Sequence, residues 1–283
     1  MNNSLRDRAL LVIAFTLFAT ISAEAAIKIM PLGNSLTKGS GSTHDASYRL
    51  KLWELFETGP LAGMIDFVGQ RTHGPLPNAG NLFFDRDHEG HPGNDITETM
   101  TKVGATGNST IEDVLNAETP EAILLHVGTV KAAAGNLTPT NFATKVGSAL
   151  DDLEVLIDKI FLTRPSVKLC VALITGAQDD MSINFQFVQD YNAGIPALVA
   201  AEAALGNDIS SVDLFNGAGL SYGLGSPDFH DLFHLSDAGY EKIAGAWHHH
   251  LQNVGIPEPG SLSLITCVIL LRARTRNTLC SAT

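Results

Sequence analysis

The stretch Ile27-Lys28-Ile29-Met30-Pro31-Leu32-Gly33-Asn34-Ser35-Leu36-Thr37 decides the fold, because an apolar strand runs straight into Gly-Asn-Ser. Small and polar residues of this kind make the tight turn that leads from a strand into a helix. Taken alone, the pattern fits a plain turn or helix-cap serine as well as a nucleophile. Ser35 therefore becomes a candidate nucleophile only if another part of the chain supplies a base.

That base is found near the other end of the chain, in Asp231-Leu232-Phe233-His234. A serine hydroxyl is a poor nucleophile unless a neighbouring group takes its proton. Histidine titrates close enough to neutral pH to take the proton and return it to a leaving group. His234 is the candidate base, and Asp231 would hold the imidazole in the required tautomer. Without Ser35, a turn-capping Asp231 and a surface His234 would be the simpler interpretation.

The body between these motifs alternates short apolar runs with segments of helical period, which is typical of a parallel sheet covered by helices on both faces. The runs predict five strands, near 27–32, 65–68, 122–127, 167–174 and 209–212. Apolar residues at three- and four-residue steps predict a long helix over 146–161 and a closing helix over 240–251. Ligands of such sheets bind outside the carboxyl edge of the strands. Ser35, Gly128-Thr129 and the loop of Asp231 and His234 should therefore meet at one edge.

These motifs resemble those of the SGNH/GDSL hydrolases, a family with a three-layer, flavodoxin-like α/β fold. The resemblance implies that Ser35 is the nucleophile and that the backbone N–H groups of Ser35 and Gly93 bind the oxyanion. Gly93 lies in Gly90-His91-Pro92-Gly93-Asn94, which is similar to the second family block. A third family donor is an asparagine, and here Val130 occupies its position and cannot donate a hydrogen bond. The expected substitute donors are Asn94, Lys131 or Asn136.

Further segments are similar to secreted esterases of the acetyl xylan esterase kind: 42–50, 87–93 and 191–196. The resemblance implies hydrolysis of O-acyl esters, acetyl above all, on a polysaccharide, without a metal or an organic cofactor. The loss of the oxyanion asparagine would weaken such an enzyme. The alternative is a catalytically inactive protein of this fold that binds carbohydrate or has a structural role at the cell surface.

Both ends of the chain carry the marks of processing signals. Basic residues precede a short apolar run and Ala23-Glu24-Ala25, so residues 1–26 are predicted to be a signal peptide and 27–256 the esterase domain. A retained anchor is the alternative for the first segment. Residues 257–283 combine Pro257-Glu258-Pro259, an apolar run and arginines, and resemble a PEP-CTERM sorting tail. This resemblance implies export in a Gram-negative bacterium, with the export and sorting machinery as partners. A disordered or membrane-contacting tail is the alternative.

Charge and the remaining polar residues narrow the function. The net charge of −12 repels phosphate backbones, so nucleic acid is a poor partner. Arg49 is expected to form an internal ion pair with Asp45 or Glu54, the alternatives being that it clamps a carboxylate or orients the active-site loop. His126 is expected to be a hydrogen-bonded core histidine. His248-His249-His250 does not predict a metal site, because three consecutive helical residues point around the helix instead of converging.

Overall fold

The computed structural model describes residues 26–76, 83–134 and 136–256. The predicted signal peptide up to Ala25 and the predicted sorting tail from Pro257 onward lie outside the described residues. None of the described helices is both long enough and apolar enough to cross a membrane.

One mixed sheet forms the centre of the described residues. The strands are β1 (Ile27–Gly33), β2 (Ile65–Phe67), β3 (Arg71–Thr72), β4 (Asp87–Gly90), β5 (Ala122–His126), β6 (Lys168–Leu173) and β7 (Ile209–Asp213). They follow the spatial order β3-β4-β1-β5-β6-β7, while β2 pairs with the first half of β1. All neighbouring strands are parallel except β3 and β4.

The helices connect these strands and cover the sheet. They are α1 (Ser35–Lys38), α2 (Ser47–Glu57), α3 (Ile96–Thr101), α4 (Ile111–Glu118), α5 (Thr129–Ala134), α6 (Phe142–Thr163), α7 (Ile183–Ala204) and α8 (Asp237–Val254), with a short 3-10 turn at Thr43–Asp45. Capping boxes begin α3 at Asp95 and α4 at Thr110. The local sequence thus fixes where these helices start.

Two apolar cores lie on opposite faces of the sheet. Helices α3, α4, α6 and α7 bury one set of side chains, among them Leu153 and Tyr191. Helices α2 and α8 bury the other set, which includes Tyr48 and Trp247. β5 is buried along its whole length, as expected for a strand covered on both faces. The predicted three-layer α/β fold with a mainly parallel sheet is confirmed.

The five predicted strands and both predicted helices are present. The sequence did not predict β3 and β4, because they are short and β4 reads Asp-His-Glu-Gly, without an apolar alternation. β4 pairs with the end of β1 at Leu32 and Gly33, so it carries the second block directly beside the first. Because β4 lacks an apolar alternation, the sequence did not predict that the second block lies beside the first.

Candidate active site

Ser35 stands at the carboxyl end of β1, as the first residue of α1. Gly33 makes the turn possible, since a Cβ atom there would lie 2.4 Å from the carbonyl oxygen of His126 and 2.5 Å from Thr37 Oγ1. Asn34 is fully buried, and its Oδ1 accepts a hydrogen bond of 3.1 Å from the N–H of Leu36. Asn34 thus caps α1, which an aspartate could also do.

His234 reaches Ser35 from a loop on the other side of the sheet edge. The ring Nε2 of His234 lies 2.9 Å from Ser35 Oγ, although 199 residues separate them in the chain. The ring Nδ1 lies 2.8 Å from Asp231 Oδ2. Because a carboxylate only accepts hydrogen bonds, Nδ1 carries the proton and Nε2 is free to accept from the serine hydroxyl. The structure therefore brings Ser35, His234 and Asp231 into one hydrogen-bonded chain.

Asp231 also builds the turn that presents His234. Its Oδ1 accepts hydrogen bonds from the backbone N–H of Phe233, at 2.9 Å, and of His234, at 2.8 Å. Partial burial pushes the pKa of Asp231 upward, but these two N–H donors and the His234 ring outweigh burial and leave the pKa below its ordinary value. Asp231 is thus held as a carboxylate at neutral pH.

The loop between α1 and α2 braces the histidine. A Cβ atom on Gly41 would lie 3.0 Å from the Cβ of His234, so only glycine lets the loop pass this close. Thr43 donates to Asp237 at the start of α8 through its N–H, at 2.8 Å, and its hydroxyl, at 2.6 Å. The hydroxyl of Tyr240 donates to the Ser40 carbonyl at 2.7 Å. The segment that follows the nucleophile is thereby fixed to the helix that follows the base.

Gly93 occupies an exposed turn beside this arrangement. The N–H of Asn94 donates to the His91 carbonyl at 3.2 Å, and Gly93 has a φ of 84°, which glycine adopts without strain. The N–H of His91 donates to the Gly33 carbonyl at 2.9 Å, which fixes the turn next to the nucleophile segment. Among the described residues, neither the N–H of Ser35 nor that of Gly93 has an acceptor. Both groups are available to a ligand.

The ring of His91 has a structural partner. It is buried, and its Nε2 lies 2.5 Å from Oε1 of the fully buried Glu89. The same carboxylate accepts from the N–H of Gly104, at 2.6 Å, and of Gln70, at 2.8 Å. Glu89 therefore ties three loops together behind Gly93, a role that the sequence did not predict.

Two of the three expected substitute donors, Asn94 and Lys131, are engaged in other contacts. The side-chain amide of Asn94 donates to the carbonyls of Glu98 and Lys102. The ammonium group of Lys131 pairs with Asp95 at 3.1 Å and with Asp152 at 2.9 Å. Asn136 is exposed, and its carbonyl accepts from Asn141. In this conformation Asn94 and Lys131 are therefore not free to replace the oxyanion asparagine.

Val130 lies at the first turn of α5, directly after the end of β5. It is half-buried and contributes no polar atom to the edge where Ser35 stands. Gly128 places this segment close to α7, since a Cβ atom there would lie 2.6 Å from the ring of Tyr191. The Tyr191 hydroxyl donates to the Val127 carbonyl at 3.3 Å. The third block is thus packed against α7, and its Val130 side chain carries no hydrogen-bond donor.

Two polar expectations from the sequence are wrong. Arg49 makes no ion pair with Asp45 or Glu54, which pair with Lys38 and Lys51, respectively. Its guanidinium donates only to backbone carbonyls. The ring nitrogens of His126, a fully buried residue, have no hydrogen-bond partner among the described residues. Contacts of this kind depend on the fold and leave no local pattern in the sequence.

Known structures share this fold. A family 3 carbohydrate esterase from Clostridium thermocellum is 32% identical to the chain, and the match covers 81% of this chain and 96% of that one with a TM-score of 0.59. The chain belongs to this esterase family. A second family 3 carbohydrate esterase, from Talaromyces cellulolyticus, matches with 23% identity and a TM-score of 0.62, over 81% of this chain and 98% of that one, which supports the fold alone.

The chain is also similar to other hydrolases, over a shorter stretch or with lower identity. A lipase/acylhydrolase from Enterococcus faecalis and a "putative lipolytic protein of G-D-S-L family" from Desulfitobacterium hafniense also share the fold. No protein-family model matches the chain. A curated protein of Acetivibrio thermocellus, named "Putative endoglucanase X", is 29% identical over 143 residues, or 50% of this chain. The chain spans about half the length of that relative, 54%. The family 3 assignment of this chain therefore rests on the longer match.

Proposed function

We propose that this family 3 chain is an exported serine esterase that removes O-acyl groups, acetyl above all, from a polysaccharide. The single observation that carries the proposal is the hydrogen-bonded chain from Asp231 through His234 to Ser35, with distances of 2.8 and 2.9 Å. The two free N–H groups of Ser35 and Gly93 support it, because acyl transfer needs donors where negative charge develops. The family 3 carbohydrate esterase that is 32% identical to the chain supports an esterified carbohydrate as the substrate.

In the proposed reaction, Ser35 Oγ attacks the acyl carbon while His234 Nε2 takes the hydroxyl proton. The carbonyl oxygen becomes an oxyanion, which accepts hydrogen bonds from the N–H groups of Ser35 and Gly93. The sugar hydroxyl leaves with the proton from His234, and the acyl group stays on Ser35. Water, deprotonated by His234, then attacks the acyl-enzyme, and collapse releases the carboxylic acid and restores the serine. Asp231 stabilises the imidazolium throughout.

Export and sorting belong to the same proposal. The predicted signal peptide, cleaved near Ala25 or Ala26, would release the domain of residues 27–256 with its tail outside the cytoplasm. Residues 257–283 would then direct it to the surface of a Gram-negative bacterium. An acetylated polysaccharide outside the cell is a substrate that fits this location.

A glycosidase is a weaker interpretation, despite the name of the curated relative. Glycoside hydrolysis ordinarily uses two carboxyl groups that flank the scissile bond. The carboxylate in contact with His234 is Asp231, and its two oxygens are engaged by the His234 ring and by the backbone N–H groups of the turn.

Val130 favours a second candidate, a non-catalytic carbohydrate-binding protein of the same fold, because the missing donor costs about 10²–10³ in turnover.

The test is the release of acetate from acetylated xylan and from an activated aryl acetate by the full chain. Ser35→Ala removes the nucleophile, and Ser148→Ala, an exposed serine on α6, is the matched control. The proposal expects turnover in the wild type and in Ser148→Ala, and a loss of at least about a thousandfold in Ser35→Ala. Equal inertness of the wild type and Ser35→Ala on both substrates would favour the carbohydrate-binding alternative.

A further inference from the structure

Arg49 is fully buried in the first turn of α2, yet none of the described carboxylates forms a salt bridge with it. Its guanidinium instead donates hydrogen bonds of 3.0–3.1 Å to five backbone carbonyls. The guanidinium carbon also lies 5.7 Å from the centre of the Phe84 ring, within the range of a cation–π contact. Burial lowers the pKa of Arg49 to about 10, so it still carries its charge at neutral pH.

The five carbonyls belong to three segments that meet at the proposed site. The carbonyls of Thr37, bound by Nε at 3.0 Å, and of Lys38, at 3.1 Å, end the short helix that starts at Ser35. The carbonyl of Asp45, at 3.0 Å, belongs to the loop that braces His234. The carbonyls of His73 and Arg86, at 3.1 and 3.0 Å, lie on the β3–β4 hairpin that leads to Gly93.

The loop between α1 and α2, which contacts His234, is strained up to the first residue of α2, so the hydrogen bond from Arg49 to the Asp45 carbonyl restrains a strained segment. His44, Asp45 and Ser47 have φ values of 64°, 55° and 59°, a region that residues with a Cβ atom rarely adopt. Residues in this region are strained and persist only where their surroundings hold them. Arg49 supplies one such restraint through Asp45. The hydroxyl of Ser47, donating to the Leu36 carbonyl at 2.6 Å, supplies another.

We infer that Arg49 is a positioning residue, which sets the distance between Ser35, His234 and the N–H of Gly93 by joining their three segments. This role rests on the esterase function proposed above, and in it Arg49 affects turnover and not substrate binding. A lysine cannot replace it, because an ammonium group has three donors and would leave at least two of the five carbonyls without a partner. No bond is made or broken at Arg49.

The test compares Arg49→Lys and Arg49→Met with Lys168→Met in the full chain. Lys168 is also largely buried and pairs with Asp208 at 2.9 Å, but it lies at the start of β6, on the sheet edge opposite the site. It therefore controls for loss of stability alone. Misplacement of reacting groups lowers turnover more than binding, so kcat on the aryl acetate should fall about tenfold to a hundredfold in both Arg49 variants while KM changes little. Lys168→Met should keep the wild-type kcat.

A second readout does not need activity. The N–H groups of Gly39 and Ser40 donate to the Ser35 carbonyl, at 2.8 and 3.0 Å, and that of His91 donates to Gly33. Hydrogen exchange of these amides should accelerate in Arg49→Lys and stay unchanged in Lys168→Met. If the wild type hydrolyses neither ester but exchange still accelerates in Arg49→Lys, the esterase proposal fails and the positioning role stands. Wild-type kcat or wild-type exchange in Arg49→Lys would overturn the positioning role, whatever the esterase result.

Discussion

Single side chains in the proposed site carry more than one task each. Asp231 uses one oxygen to accept the N–H groups of Phe233 and His234 and the other to hold the His234 ring. The spacing Asp-x-x-His therefore makes both the turn and the orientation of the base. Ser35 offers a hydroxyl to His234 and a free backbone N–H to an oxyanion. Val130 is different, because its side chain offers the site no hydrogen-bond donor.

Val130→Asn should raise the turnover of the aryl acetate by about tenfold or more, because a third donor would then face the developing oxyanion. The measurement is kcat and KM for the wild type, Val130→Asn and Val130→Ile. The isoleucine variant is the apolar control and should not gain. A gain of equal size in both variants would point to packing of α5 and not to a hydrogen bond, and no gain in Val130→Asn would mean that the amide does not reach the oxyanion.

The carboxyl ends of the parallel strands position the residues of the proposed site. β1, β5 and β7 run parallel, so the segments that follow them converge at one edge, and the loop of residues 40–47 connects two of those segments. The sequence predicted this edge because the strands are apolar runs and the long helices have a clear period. It could not predict β3 and β4, whose pairing is set by β1, nor the five carbonyls around Arg49, which come from segments distant in the chain.

The end of α4 offers a stability prediction away from the site. Thr119 caps this helix with φ 52° and ψ 53°, a left-handed conformation that is costly for a β-branched residue. Thr119→Gly should raise the free energy of unfolding by roughly 1 kcal/mol. Thr119→Ala is the matched control, because both variants lose the contact of Thr119 Oγ1 with Lys28 but only glycine relieves the backbone. Chemical denaturation measures both, and a glycine variant no more stable than the alanine variant would contradict the account.

The whole molecule responds to pH through histidines buried beneath the sheet edge. His126 is fully buried, and burial lowers its pKa from 6.5 to about 4. Between these pH values the unfolded chain binds a proton that the folded chain does not, so the contribution to stability is complete above pH 6.5 and is lost as the pH falls toward 4. Burial lowers the pKa of His88 as well, and its effect has the same sign.

The free energy of unfolding should therefore fall on acidification from pH 6.5 to 4, with His126 contributing about 3 kcal/mol of the loss, since each pH unit of difference corresponds to 1.4 kcal/mol. In His126→Gln this part of the loss should disappear. His249→Gln, at an exposed position on α8, should keep the wild-type slope. Denaturation curves recorded across this range decide the point, and an unchanged slope in His126→Gln would show that His126 takes up its proton without unfolding.

The central claim is that His234 activates Ser35 as a nucleophile, and covalent capture tests it most directly. The full chain would be incubated with a fluorophosphonate ester, and the modified residue would be identified by mass spectrometry in the wild type and in His234→Gln. The account predicts phosphonylation of Ser35 in the wild type, with loss of fluoride, and a rate at least about a hundredfold lower in His234→Gln. An unlabelled Ser35 in the wild type, or equal labelling with and without His234, would contradict it.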